Sequence, residues 1–148
     1  MGFLSRFSSD YGGIELVLPV SLELFSILQS PRAYDIRKTV HQDYMIRVVN
    51  ARKLLELMRK PENCAFVIRV RDEMIPENNG TWRVAESGVA PTADVPDLIV
   101  SERALGQLAS GCASLAEAQY RQDVEIRGNT ATLERVFVRK PVFVEDYF

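Results

Sequence analysis

The clearest pattern in the chain is the run Ala65-Phe-Val-Ile-Arg-Val-Arg71, in which Phe66, Ile68 and Val70 alternate with Arg69 and Arg71. A period of two is that of a strand with one face buried and the other in water. A second short run, Thr81 to Ala85, follows after Pro76-Glu-Asn-Asn-Gly80, residues that favour turns and tolerate positive φ at Asn and Gly. The two runs read as a hairpin with Phe66 and Trp82 in its core.

Around it the spacing is mostly helical. Tyr44 to Val49 reads as a strand that gives way at Asn50, a good N-cap, to a helix with Ala51, Leu54, Leu55 and Met58 on one side and Pro61 beyond its end. Gly88, Pro91 and Pro96 predict a loop before a strand over Asp97 to Val100. Ser101 caps a helix with Leu105, Leu108, Ala109 and Cys112 on one stripe and Gly111 at its C-terminal end. Ser114-Leu-Ala-Glu117 matches a capping box, Asp123 to Arg127 reads as a strand stopped by Gly128, and Asn129 opens a last helix bearing Leu133, Val136 and Phe137. In the tail Pro141 to Phe148, Val142 and Val144 alternate with Phe143.

Upstream, Phe3 to Phe7 reads as the tail of a helix, Tyr11-Gly12-Gly13 as a turn and Ile14 to Leu18 as a strand closed by Pro19. Ser21 caps a helix with Leu24, Phe25 and Leu28, stopped by Ser30-Pro31, and the polar stretch Arg32 to Asp43 reads as a connection. The expectation is two parts, 1–40 and 41–148. Helices interspersed among strands, with at least one hairpin, predict an α+β fold in which a mixed or mostly antiparallel sheet carries helices on one face.

Composition narrows the function classes. With 148 residues, 47% hydrophobic and 26% charged, the chain can bury one sizeable core. Lys+Arg 18 against Asp+Glu 20, with no basic tract, argues against a nucleic-acid partner. No apolar run approaches the ~20 residues that span a bilayer. The start, Met1-Gly-Phe-Leu-Ser-Arg6, lacks the features of a signal peptide and has Arg where a myristoylation signal wants Ser or Thr. No membrane association and a cytoplasmic location are expected. Cys64 and Cys112, far apart in apolar settings, read as small buried hydrophobes.

Four stretches taken together resemble the C-terminal, sterol-carrier-like domain of the Eis-like ("enhanced intracellular survival") branch of the GNAT N-acetyltransferases. They are Met45-Ile-Arg-Val-Val-Asn50 leading into Leu54-Leu55, Asp72 with Asn79-Gly-Thr-Trp82, Pro96-Asp-Leu-Ile-Val-Ser101 with Leu105 and Gly111, and Pro141-Val-Phe-Val-Glu-Asp-Tyr-Phe148. The resemblance implies upstream GNAT domains in the same protein, acetyl-CoA as acetyl donor, a small-molecule primary amine as acceptor and a homo-oligomer. In such enzymes the terminal α-carboxylate is proposed as the base that takes a proton from the substrate ammonium. That role maps onto the main-chain carboxylate of Phe148, with Asp146 attracting a cationic amine. The fit of Asp146-Tyr-Phe148 to the family's ending implies that Phe148 is a natural end.

Other chemistry finds little support in the residues. GNAT enzymes hold the pyrophosphate of acetyl-CoA with a Gln/Arg-x-x-Gly-x-Gly/Ala loop at a helix N-terminus, where backbone N–H groups must approach closely. The nearest match, Arg103-Ala-Leu-Gly106-Gln-Leu108, ends on a large residue and lies inside a capped helix, so no cofactor site is expected in this chain. His41 stands alone in the polar connector, and Asp72, Glu73, Glu77 and Asp94 lack metal-ligand spacing, so neither nucleophilic catalysis nor metal binding is expected. Asp72 and Asn79 to Trp82 read as marks of the fold, with Trp82 buried and Asn79 forming a turn. Two alternatives to the acetyltransferase reading stand beside it, a free-standing carrier for a lipid or other apolar ligand and a scaffold for oligomer assembly.

Overall fold

Alternation at residues 65–71 is realised as the central strand of a sheet. The computed structural model describes residues 15–19, 22, 37–39 and 45–142. The chain divides into two units, Met1–Val40 with Glu145–Phe148 and His41–Val144, and the architecture below is that of the second. In order it contains α1 (Ala51–Leu57), β1 (Ala65–Arg71), a 3-10 turn (Pro76–Asn78), β2 (Gly80–Ala85), β3 (Gly88–Pro91), β4 (Leu98–Ser101), α2 (Glu102–Ser110), α3 (Leu115–Ala118), β5 (Val124–Ile126) and α4 (Thr130–Val136).

The five strands form one sheet in the order β3-β2-β1-β4-β5. β1 pairs antiparallel with β2, Phe66 opposite Val84 and Ile68 opposite Trp82, and parallel with β4, Ile68 opposite Leu98. β3 and β5 close the two edges, each antiparallel to its neighbour. The fold is therefore α+β with a mixed sheet. The pleat sends Phe66, Ile68, Val70, Trp82, Val84, Leu98 and Val100 to one face, into a core shared with Leu55 of α1, Leu105 and Leu108 of α2, Leu115 of α3, and Leu133 and Phe137 at α4. Phe137 meets Phe66 edge-on, ring centroids 6.0 Å apart.

The helix ends follow local chemistry. Asn50 accepts from the Lys53 N–H, Ser101 from the Ala104 N–H, and Ser114 with Glu117 forms a capping box. Gly111 ends α2 in the left-handed region at φ 83°, and a Cβ there would also strike Lys140 at 2.7 Å.

Four expectations are corrected. Residues 45–48 pair with no strand; Arg47 is tied instead to the Asp72 and Glu102 carboxylates and the Val48 carbonyl to the Asn78 amide. Gly88–Pro91, expected as loop, is the edge strand β3, where Pro91 is tolerated because an edge leaves part of its ladder unpaired. Residues 15–18, within the expected strand Ile14 to Leu18, belong to no strand. Asn78 and Asn79 do not use positive φ: Asn78 lies in the 3-10 turn, Asn79 has φ −76°, and the positive values fall at Asn63 and Asn129 instead. Gly80 is small for another reason, since a Cβ there would lie 2.7 Å from the Trp82 ring. The readings placed on Phe3 to Phe7, Tyr11-Gly12-Gly13, the Ser21 helix and the tail beyond residue 142 lie outside the described residues.

Candidate functional site

The densest polar arrangement among the described residues lies where β1 runs out. Asp72, its side chain fully buried, accepts at Oδ1 from Arg47 Nη2 (2.9 Å) and from the Met74 and Ile75 N–H groups (2.9 and 3.0 Å). Its Oδ2 accepts from Asn78 Nδ2 (2.9 Å). The same Asn78 amide donates to the Val48 carbonyl (3.0 Å), and its Oδ1 accepts from the Ala51 N–H (2.8 Å), capping α1 from a distance in sequence. Asn79 closes the turn, Oδ1 accepting from the Asp72 N–H (3.0 Å) and Nδ2 donating to the Asp72 carbonyl (2.7 Å). Arg47 completes the cluster by reaching Glu102 in the first turn of α2 (3.2 Å).

Burial pushes the Asp72 carboxyl up. The hydrogen bonds from Asn78, Ile75 and Met74 and the charge of Arg47 outweigh it and hold the group at about 2. A carboxylate with both oxygens engaged and so low a pKa is a poor general base. The cluster is a structural knot joining residues 45–50, β1, the 3-10 turn and α2, which agrees with reading Asp72 and Asn79 to Trp82 as marks of the fold. The sequence reading missed Asn78, although polar turn residues beside a buried strand end are where such a knot could be sought.

A second cluster surrounds the N-cap of α2. Arg121 donates from Nε and Nη2 to the two oxygens of Asp123 (both 2.8 Å) and from Nη1 to Gln107 Oε1 (2.6 Å), while the Ser101 hydroxyl donates to Asp123 Oδ2 (2.5 Å). Arg121, helped by Ser101, holds the Asp123 carboxyl at about 2 against burial. Ser101 also accepts from the Ala104 N–H (3.0 Å), so its oxygen is committed to capping, and the carboxylate beside it, Asp123, is held by Arg121 at a pKa too low for a general base.

The remaining candidates are placed plainly. Gly106 lies in the interior of α2, and a Cβ there would meet Ile46 Cγ2 at 3.3 Å and Val48 Cγ2 at 3.4 Å. Its smallness admits residues 46–48, and Arg103 to Leu108 does not form a pyrophosphate loop. Cys64 is a buried free thiol that burial pushes up, and the Cys112 sulfur accepts from the Ser110 hydroxyl (3.1 Å). Among the described residues no three His, Cys, Asp or Glu come together as metal ligands, and no helix is long and apolar enough to cross a membrane. An open depression of about 510 Å³ is lined by Asn63, Cys64, Ala65, Ala85, Glu86 and Ser87. His41, Asp146 and Phe148 lie outside the described residues, so the carboxylate assigned from the resemblance is not among the groups placed here.

Residues 46–145 match the family model described as the sterol carrier protein domain. The chain belongs to that family. Solved structures similar in fold to this sterol carrier protein domain include Eis1 from Mycobacterium abscessus, 23% identical, with a TM-score of 0.58, covering 64% of this chain and 25% of that one. A GCN5-related N-acetyltransferase from Kribbella flavida is 21% identical at a TM-score of 0.57 and covers 69% and 28%. Another from Anabaena variabilis is 20% identical at 0.51 and covers 65% and 26%. At these identities the likeness is one of fold. The sterol carrier protein domain spans about a quarter of the length of each of these chains. No curated protein matches it.

Proposed function

We propose that this sterol carrier protein domain is the C-terminal part of an Eis-like N-acetyltransferase that moves an acetyl group from acetyl-CoA to a primary amine. The observation that carries the reading is the shared fold with acetyltransferase-class chains, each of which it overlaps over about a quarter of its length. In the whole enzyme the amine nitrogen attacks the thioester carbonyl, a C–N bond forms, the C–S bond breaks, and the coenzyme leaves as the thiol. The domain shapes the amine pocket, contributes to a homo-oligomer and supplies the terminal carboxylate of Phe148, which accepts the proton from the substrate ammonium. An α-carboxylate is a weak base in water, so the role requires a desolvated position. Asp146 raises the local concentration of a cationic amine by attraction.

The filled interior supports this reading over a free-standing lipid carrier, since Leu55, Ile68, Leu98, Leu105, Leu133 and Phe137 occupy the space between sheet and helices. The deciding experiment uses the full-length protein. Appending two residues after Phe148, or deleting it, should lower kcat by about 10² to 10⁴ with an unchanged melting temperature. Comparable turnover from the extended enzyme removes the general-base assignment. Asp146→Asn should raise KM for cationic amines, an effect that fades at high salt. The isolated chain should not bind acetyl-CoA, and micromolar binding by calorimetry would overturn the division of labour. Saturable binding of a fluorescent fatty acid would favour the carrier.

A further inference from the structure

Residues 45–49 are attached to the domain differently from everything around them. They take part in no strand ladder. Their fastenings are side-chain ones, Arg47 to Asp72 and Glu102, and the Asn78 amide to the Val48 carbonyl. Ile46 and Val48 rest over Gly106, where the missing Cβ lets them approach α2. Val48 is 5% exposed, but Met45, Ile46 and Val49 are 99%, 38% and 76% exposed, so a single buried apolar side chain anchors the stretch.

We infer that residues 45–49 form a strap that opens independently of the core, latched by Arg47 across Asp72 and Glu102, and that its opening bares α2 at Gly106. The geometry defines where opening stops. The N-terminus of α1 is held by Asn50, which accepts from the Lys53 N–H, and by Asn78, which accepts from the Ala51 N–H, and neither bond involves the strap. When the strap lifts, Asn78 loses the Val48 carbonyl and keeps Asp72, so the turn and α1 stay in place. Few buried apolar contacts and no ladder hydrogen bonds are the features of a segment with a low local opening free energy. The strap's own half of the latch, the Arg47 side chain, is 38% exposed and is rehydrated when it lifts, while Asp72 and Glu102 stay with the core at 0% and 15%.

Native-state trypsin cleavage of the full chain, mapped by mass spectrometry, tests this directly. Cleavage after Arg47 needs the strap lifted, whereas cleavage after Arg69, Arg71 and Arg83 needs the sheet opened. The expected result is cleavage after Arg47 at a rate independent of low denaturant while the strand sites stay uncut. Cleavage after Arg47 only in step with the strand sites overturns the strap.

Two variants sharpen the test. Glu102→Gln removes one end of the latch and should accelerate cleavage after Arg47 by about two- to fivefold without touching the strand sites. Gly106→Ala should separate the two regions more sharply. Its Cβ presses on Ile46 and Val48 and opens the strap, while alanine's better helix propensity holds or raises the melting temperature. If Gly106→Ala speeds strap cleavage only together with a lowered melting temperature, or leaves strap cleavage unchanged, the strap is part of the core and the inference fails.

Discussion

Asp72 and Asp123 each stand one side chain from the start of α2, and both are held at about 2, but they are held differently. The Asp72 side chain is fully buried, and most of its partners are neutral N–H groups, among them the buried Asn78 amide. The Asp123 side chain is 35% exposed and is held mainly by a forked pair with Arg121 that water can replace. Similar titration therefore conceals different structural weight. What matters is how many buried partners are orphaned when the group goes, since an unpaired buried donor carries its full desolvation cost while an exposed one is rehydrated.

The apolar face sets the scale for breaking this comparison. Trp82→Ala should cost about 3–5 kcal/mol in urea unfolding, because it empties a large site between β2 and the helices. A Trp82→Ala variant with an unchanged midpoint would show that the core assignment is wrong. Next comes the buried knot. Asn78→Ala orphans the Ala51 N–H, the Val48 carbonyl and one Asp72 oxygen, and should cost about 2–4 kcal/mol. Asp72→Asn should lower the urea midpoint well below that of Asp123→Asn, and equal midpoints would erase the distinction. Asp123→Asn itself should cost about 0.5–1 kcal/mol, the range of an ion pair that solvent screens. Smallest is Arg83→Gln, which loses only an exposed pair with Asp94 and should stay within about 0.5 kcal/mol.

Acid provides an independent comparison. Both carboxyls have folded values below their unfolded ones, so their contribution is complete above about pH 4 and is lost as pH falls towards 2. Stability measured by urea unfolding should fall across that window. Asp72→Asn and Asp123→Asn should each flatten the fall, and a profile unchanged in either variant would show that its carboxyl does not titrate as described.

The sequence by itself determined the local elements. Asn50, Ser101 and the Ser114–Glu117 box announce three helix starts, Gly111 announces a stop, and the alternation of Phe66, Ile68 and Val70 announces the buried face of β1. Such signals are readable because capping and pleat act between residues a few positions apart. The four stretches behind the family resemblance were also legible, since they lie within the segment matched as a sterol carrier protein domain or overlap its end.

Only the tertiary structure decided how those pieces meet. The parallel pairing of β1 with β4 leaves no mark on either strand, because Leu98, Ile99 and Val100 would suit any buried neighbour. Which segments join the sheet was likewise settled by the tertiary structure: Met45 to Val48 belong to no strand, and Gly88–Pro91 pairs with β2. The knot was hidden for a related reason: Asn78 looks like any turn residue until the fold brings Val48, Ala51 and Asp72 around it. A side chain's burial and its partners depend on residues distant in sequence, and that information arises only when the chain closes on itself.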